Sequence, residues 1–475
     1  MKKVKNKILL LVGVFTVCAT FLKAQTIHQL TAKQAAELAS QNVFEVKNAN
    51  LDYDLQLAKN EEITGSARPQ ITGNAQLTHY LKLPQIQLPN TTDFNIYNIL
   101  IREGILKDNG SGAPVRVTTN NGNISLNNLS FVAPWNAAAS VQVNQLLFQP
   151  DVLVGLQARK YALNLAKENI AVAQDKAKEA ATKNYYNVLI ALKQKTFVED
   201  GIKRLTKLIS DQTQIYKNGF IEKLDIDKST VSLNNLTSNL SQLNNAIAIS
   251  NAILKQSLNI SQKDSIVFNE TLNEKTIKEN ILQQDEFDFT NRSEIRSLTA
   301  VTDLLKLDVK RNKIAHYPTA AAFINGGVNG QANRQLAAFS GKNWFWFYPI
   351  LVGLNVTIPI YDGGQRKQKI KAAQLNLQKT TNTISNVKSL INMEQEIAKN
   401  ALVNALTSFD IQTKNVALAT KVYETVKKKY EQGLSSAQEI LLSEGEIQMA
   451  QSNYYRAMYD ATIAKVGYLK ALGKL

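Results

Sequence analysis

The chain has 475 residues, 44% of them hydrophobic and 20% charged, with one cysteine and a formal net charge of +16. A single cysteine excludes a disulfide framework. The basic balance reads as a lysine-rich solvated surface rather than a nucleic-acid interface, because the chain begins with an export signal.

Lys2, Lys3, Lys5 and Lys7 precede an apolar run from Ile8 to Phe21, and Ala24–Gln25 offers a cleavage point. Residues 1–24 therefore read as a secretory signal peptide, too short for a membrane span and basic at its flank. Cys18 follows Phe15-Thr16-Val17, a poor lipoprotein box, so no lipid anchor is expected and the mature chain has no thiol. Cleavage removes five lysines and no acid, leaving 50 basic against 39 acidic residues, a net +11. Beyond the leader there is no run of 18 apolar residues, so no membrane-spanning helix is expected.

The mature chain is duplicated. Asn42 to Pro69 matches Asn291 to Pro318 at an offset of 249, with Asn42/Asn291, Glu45/Glu294, Leu55/Leu304 and Pro69/Pro318 identical. Tyr216-Lys217-Asn218-Gly219 matches Tyr430-Glu431-Gln432-Gly433 at an offset of 214, so the first copy carries about 35 extra residues between these anchors. The first repeat is read as 25–290 and the second as 291–475.

In chain order, Thr31 and Gln34 form a capping box for the first helix. A strand is expected at 69–79, where Ile71, Gly73, Ala75 and Leu77 alternate with Thr72, Asn74, Gln76 and Thr78. An Asn- and Gly-rich loop, 80–135, holds the insertion and is too long to be a bare connector. A strand at 137–148 places Ala139, Val141, Val143 and Leu147 on one face. A helical hairpin at 150–260 follows, turning near Gly219, with Ile226, Leu233, Leu240, Ile247 and Leu254 seven apart. A mixed polar segment spans 261–290. The second repeat brings a helix from 291, a strand at 318–329, a loop, and a strand at 350–361 with Ile350, Val352, Leu354, Val356, Ile358 and Ile360 on one face. A second hairpin, 363–475, turns at Gly433, with Ile370, Leu377, Ile384, Ile391, Ala398 and Ala405 descending and Ile440, Ile447, Tyr454, Ala461 and Tyr468 returning. A strict seven-residue repeat predicts a left-handed supercoil, and seam alanines predict close helix approach.

The strands have the length of tilted transmembrane strands. Trp135, and Trp344 and Trp346 within an aromatic run, read as an interfacial belt at their ends. Four strands cannot close a barrel, and hydrocarbon does not tolerate an open sheet edge, so spanning requires several copies. The fold class is mixed α and β: a long coiled-coil part plus four strands per chain, internally duplicated. A soluble sandwich would show the same alternation.

The signal peptide, the duplicated helix–strand–strand–helix–helix unit, the two Tyr-x-x-Gly turns, Ala67-Arg68-Pro69-Gln70-Ile71 and the corner Pro359-Ile360-Tyr361-Asp362-Gly363-Gly364 together resemble the TolC family of outer-membrane efflux proteins over essentially the whole mature chain. Gly363 and Gly364 read as a strand-to-helix corner, not a phosphate loop. The resemblance implies a homotrimer with a 12-stranded barrel and a helical periplasmic tunnel in the outer membrane of a Gram-negative bacterium. It would be a passive exit duct for drugs or other small molecules in a tripartite efflux or type I secretion system. The implied partners are outer-membrane lipid, a periplasmic adaptor and an inner-membrane pump of RND or ABC type, with no nucleic acid.

The resemblance also implies a periplasmic gate at the tips Gly219 and Gly433, built from Tyr216, Asp225, Tyr430 and Glu439. It expects Tyr430 to hydrogen-bond Asp225, so that Tyr430→Phe loosens closure, and Glu439 to form a ring of acids that favours cations. The chain departs from the family at Ser435, where a base is expected, and at Leu442, where a second acid is expected. As ordinary helix-start acids, Asp225 and Glu439 would simply favour the helix dipole.

His28, His79 and His316 are isolated, so no metal site is expected, and no cofactor motif or Ser/His/Asp spacing suggests an enzyme. The rival reading is a periplasmic coiled-coil scaffold or binding protein, which leaves the strands and the belt without a purpose. The absence of Met or His clusters argues against a dedicated copper or silver route.

Overall fold

The computed structural model describes residues 26–89, 100, 103–105, 126–129, 132–270, 272, 274–278, 287–333 and 344–475. The expected signal peptide and most of the 80–135 loop lie outside the described residues. The chain divides into a helical unit (residues up to 60, 157–312 and 365–475) and a sheet unit (61–156 and 313–364).

The helical unit begins with β1 (Ile27–Leu30), followed by α1 (Ala32–Asn42) and α2 (Phe44–Ser66). Thr31 and Gln34 form the reciprocal capping box at the start of α1. Val43 separates the two helices in an extended conformation, its N–H still bonded to the Ala39 carbonyl.

The sheet unit contains β2 (Gln70–His79), the short ribbon of β3 (Ile86–Pro89) and β4 (Leu126–Leu129), and β5 (Trp135–Phe148). After β5 come α3 (Pro150–Lys217), α4 (Lys223–Ser257), β6 (Ser265–Phe268), α5 (Glu274–Lys278) and α6 (Ser293–Ile314). The sheet resumes with β7 (Thr319–Ala332), β8 (Phe345–Phe347) and β9 (Ile350–Thr357), and the chain ends in α7 (Gln365–Glu431) and α8 (Ala437–Ala471).

The sheet is an antiparallel meander in the order β2-β5-β7-β9, with β8 continuing the β9 edge. Register decides which residues share a face. Ile71 lies opposite Val143, Val143 opposite Ile324, and Ile324 opposite Val352, one apolar row across four strands. The adjacent row is Thr72, Gln142 and Asn325, which meets Leu351 on β9, so the second face is polar on three strands and mixed on the fourth. Side chains directly opposite project to the same side, so the alternation seen in single strands becomes one apolar and one largely polar face.

No second sheet covers the apolar face among the described residues, and Ile71 and Val352 are each 69% exposed. That is the reverse of a soluble sandwich, which buries this face. Leu147, expected on the apolar face, is instead the extra residue of a bulge between Leu146 and Phe148. The last strand starts earlier than expected, at Phe345, and is interrupted at Tyr348-Pro349, because proline has no N–H for the ladder. The Pro349 carbonyl still accepts from the Gly327 N–H at 3.1 Å. Pairing stops at Thr357, not 361, since Pro359 lacks a donor and also restricts Ile358.

In the helical unit, β1 and β6 form a parallel pair that the polar look of 261–290 concealed. α3 and α7 have 68 and 67 residues, about 100 Å each at 1.5 Å per residue. α4 and α8 have 35 residues each.

The duplication extends to the helix caps. Gly219 and Gly433 have φ of 78° and 72°, and each ends its helix with the paired backbone bonds of a Schellman motif. Asn259 (φ 51°) and Gly473 (φ 69°) do the same at the far ends of α4 and α8, again 214 residues apart.

Two cores result. One gathers Ala35, Tyr185, Leu254, Phe409 and Met458 beside the β1–β6 pair. The other, toward the tips, gathers Val198, Leu205, Leu236, Tyr423, Ile440 and Ile447. The expected seam of α7 is corrected in one respect. Its buried line runs Ile391, Leu402, Phe409, Tyr423, while Ala398 and Ala405 are only half-buried. The 11-residue step from Ile391 to Leu402 relaxes the left-handed supercoil that a strict heptad would impose.

Candidate functional site

At the first tip, Tyr216 closes the Schellman motif of α3 through its carbonyl, and its ring is largely exposed. Asp225 is the third residue of α4, after Glu222, which makes no side-chain cap. At the second tip, Ser436 caps α8 by accepting from the Glu439 N–H at 3.2 Å. The Glu439 carboxylate accepts from the Ser435 hydroxyl. Serine thus holds the acid where a base was expected. Lys228 of α4 reaches the Gln438 side-chain carbonyl of α8 at 3.4 Å, linking the two tips.

The expected Tyr430–Asp225 hydrogen bond is not made within the chain. The Tyr430 hydroxyl is buried beside the Gln212 side chain, without a hydrogen bond of good geometry. Burial pushes its pKa up, the nearby Gln212 amide opposes this, and Asp225 and Asp211 add to the rise. Asp225 is therefore close enough to act through space without bonding.

The reason is the seam. Tyr430 lies one heptad beyond the buried Tyr423, as Gln212 lies one heptad beyond Leu205 and Ser229 one heptad beyond Leu236. Both amide atoms of Gln212, the Ser229 hydroxyl and the Tyr430 hydroxyl are buried without a well-formed hydrogen bond. A buried polar group left unpaired costs about 1–3 kcal/mol, so this layer weakens the packing of the tips.

One heptad away from the tips the seam is satisfied. Arg204 of α3 donates to Glu444 of α8 through Nε (3.0 Å) and Nη2 (2.8 Å), and Gln448 donates to the same carboxylate at 3.2 Å. Glu444 is 1% exposed. The guanidinium lies 5.4 Å from the Phe197 ring and 5.6 Å from the Tyr423 ring. Burial and the adjacent Glu444 push the Tyr423 phenol up to about 12. Gly201 leaves the space: a Cβ there would sit 2.9 Å from Leu236 of α4 and 3.6 Å from the Glu444 carboxylate. All four hairpin helices meet at this point. Sequence reading missed it, although Glu444 stands as a charge inside the apolar line Ile440, Ser443, Ile447.

The sheet unit holds the other expected residues. Trp135 stacks on His79 at 4.0 Å, and Trp344 on Trp346 at 5.5 Å. Trp346 occupies the space above Gly330, where a Cβ would lie 2.6 Å from the indole. Pro359 precedes the corner, whose Gly363 and Gly364 have φ of 64° and 80°. The Gly364 N–H donates to Asp362 Oδ1 at 3.1 Å. No cluster of metal-ligating side chains occurs among the described residues.

Residues 291–474 match the family model of the outer membrane efflux proteins. The match spans the segment read from the sequence as the second repeat. The second half of the chain thus carries the sequence pattern of the outer membrane efflux proteins. No curated protein matches it in sequence. The chain is similar in fold to the Campylobacter jejuni CmeC outer membrane channel, at 15% identity and a TM-score of 0.65, over 93% of this chain and 85% of that one. It is also similar to VceC of Vibrio cholerae, at 12% identity and 0.64, over 93% and 96%. The open state of the Neisseria gonorrhoeae MtrE outer membrane channel matches at 12% and 0.64, over 93% and 88%.

Proposed function

We propose that this chain is the passive exit duct of a tripartite efflux or type I secretion system, carrying drugs or other small molecules from the periplasm across the outer membrane. The observation that carries this reading is the four-stranded sheet, with one bare apolar face, one largely polar face and both edges unpaired among the described residues. Such a sheet is stable in hydrocarbon only when neighbouring copies close it.

Two features of the helical unit support a homotrimer. Leu390, Ile397, Ile411 and Leu418 form an exposed apolar line on α7 at multiples of seven residues. A groove of about 720 Å³ beside the exposed Phe44 is lined by Val172, Ala173 and Ile253. Exposed Phe220 and Leu434 at the tips suit a periplasmic adaptor, and an inner-membrane pump supplies the energy. In a trimer, Glu439 forms a ring of three acids that favours cations, beside Asp225. A soluble scaffold would leave the apolar sheet face in water.

The test is planar-bilayer conductance of the detergent-extracted protein, with its oligomeric state. A small, cation-preferring conductance from a trimer is expected. A monomer in the soluble fraction that never inserts would sink the duct and favour the scaffold.

A further inference from the structure

The seam between the hairpins changes character over one heptad. At one level Arg204 and Glu444 form a bidentate pair that joins α3 to α8, with Tyr423 of α7 and Leu236 of α4 packed around it. One heptad nearer the tips, Gln212 of α3 and Tyr430 of α7 lie side by side, and their buried polar atoms, like the Ser229 hydroxyl of α4, make no well-formed hydrogen bond. Gln212 is fully buried within a single chain, so a neighbouring copy cannot reach its amide in this packing.

Separation of the hairpins therefore has opposite consequences at the two levels. At the tip-side layer it exposes groups that gain water. At the inner layer it strands a buried carboxylate and the guanidinium between its two rings, which is strongly unfavourable when either partner is left alone.

We infer that Arg204 and Glu444 are the positioning pair of the gate, the point at which the two hairpins stay joined while the tips beyond it part. This rests on the duct reading for its consequence, but the movement can be measured without it. The pair touches no cargo; it acts by fixing how far the opening travels along the helices. Gly201 lies against the same layer: a Cβ there would press on the Leu236 methyl at 2.9 Å and only touch the ion pair, at 3.5 and 3.6 Å.

The test uses the full-length protein in native membranes. Gln212→Cys and Tyr430→Cys are introduced together, and their coupling by a short bis-maleimide, which adds each thiol across a C=C bond, reports whether the tip layer is closed. Glu444→Gln in this background is expected to lower the coupled fraction several-fold, at unchanged trimer content on gels. Arg204→Met with Glu444→Met, which fills the layer without charge, is expected to restore it. In bilayers, Glu444→Gln alone is expected to raise conductance several-fold, and the double methionine variant to return it toward wild type. Unchanged coupling in Glu444→Gln would overturn the inference, as would loss of coupling that the double variant does not restore. A wild type that never conducts but loses coupling in Glu444→Gln would remove the duct reading and leave the pair in place.

Discussion

In the sheet, Thr72, Gln142 and Asn325 stand in one row and Ile71, Val143, Ile324 and Val352 in the next, so polar and apolar residues are sorted onto opposite faces. In the tip-side seam, Gln212, Ser229 and Tyr430 are placed among apolar neighbours with no well-formed hydrogen bond. The sheet presents each residue type to the medium that suits it, and lacks only more strands. The seam lacks nothing in length or shape, yet holds polar atoms where water cannot reach. The sheet is built to be completed by further copies of itself.

The comparison can be broken first at the sheet. Val352→Lys puts a charge in the middle of the apolar face and should cost about 2–4 kcal/mol of insertion free energy. Gln142→Lys, in the neighbouring polar row, should be tolerated. The folded, heat-modifiable fraction on gels after outer-membrane assembly checks both. Equal loss in the two variants would mean that the faces are not sorted by solvent.

A smaller effect is expected at the turns. Gly433→Ala forces a residue with a Cβ to φ near 72°, at roughly 1–2 kcal/mol. Gly219→Ala should cost the same, because both turns are Schellman motifs of the same form. Thermal melts of the two variants side by side would expose any difference between the repeats.

Tyr430→Phe should have a smaller effect still, and in the direction opposite to a broken lock. It deletes a buried hydroxyl that makes no well-formed hydrogen bond, so the packing of the tips should gain stability and conductance should not rise above wild type. A rise would restore the hydrogen bond to Asp225 that the family resemblance implies.

The acid limb of stability sharpens the contrast at a third place. Burial raises the pKa of Glu179, but Lys183 and Lys470 outweigh it and hold the carboxyl below its ordinary 4.5. Burial likewise raises Glu294, and Arg292 outweighs it. A depressed carboxyl stabilises the fold above its unfolded value, and that contribution is lost as pH falls through the folded value. Melting temperature should therefore hold down to pH 4.5 and fall below it, and Glu179→Gln should flatten this limb. Both effects should be modest, since the pair with Lys470 is partly open to solvent.

The sheet was legible because period-two alternation is a local property and recurs four times. The capping box at Thr31, the turns at Gly219 and Gly433 and the corner at Gly363 and Gly364 were legible for the same reason: each depends on a few adjacent residues. The β1–β6 pair was not, since it joins four-residue strands more than 230 positions apart. The bulge at Leu147 was hidden because the register belongs to β7 as much as to β5. Tyr430 was named from the sequence, but within the single chain its hydroxyl does not bond Asp225. A resemblance can transfer a residue without transferring the rotation of the helix that carries it.

The sequence by itself determined the duplication, the helical and stranded segments, the faces of each strand and the positions of the turns, because these follow from periodicity and from the backbone freedom of single residues. The tertiary structure alone decided which side chains share a layer. Gln212 and Tyr430 are distant in sequence, as are Arg204 and Glu444, and both pairs meet only when two hairpins pack at one register and one rotation. A heptad pattern states that a residue faces the seam; the packing of four helices decides whether it meets a partner there.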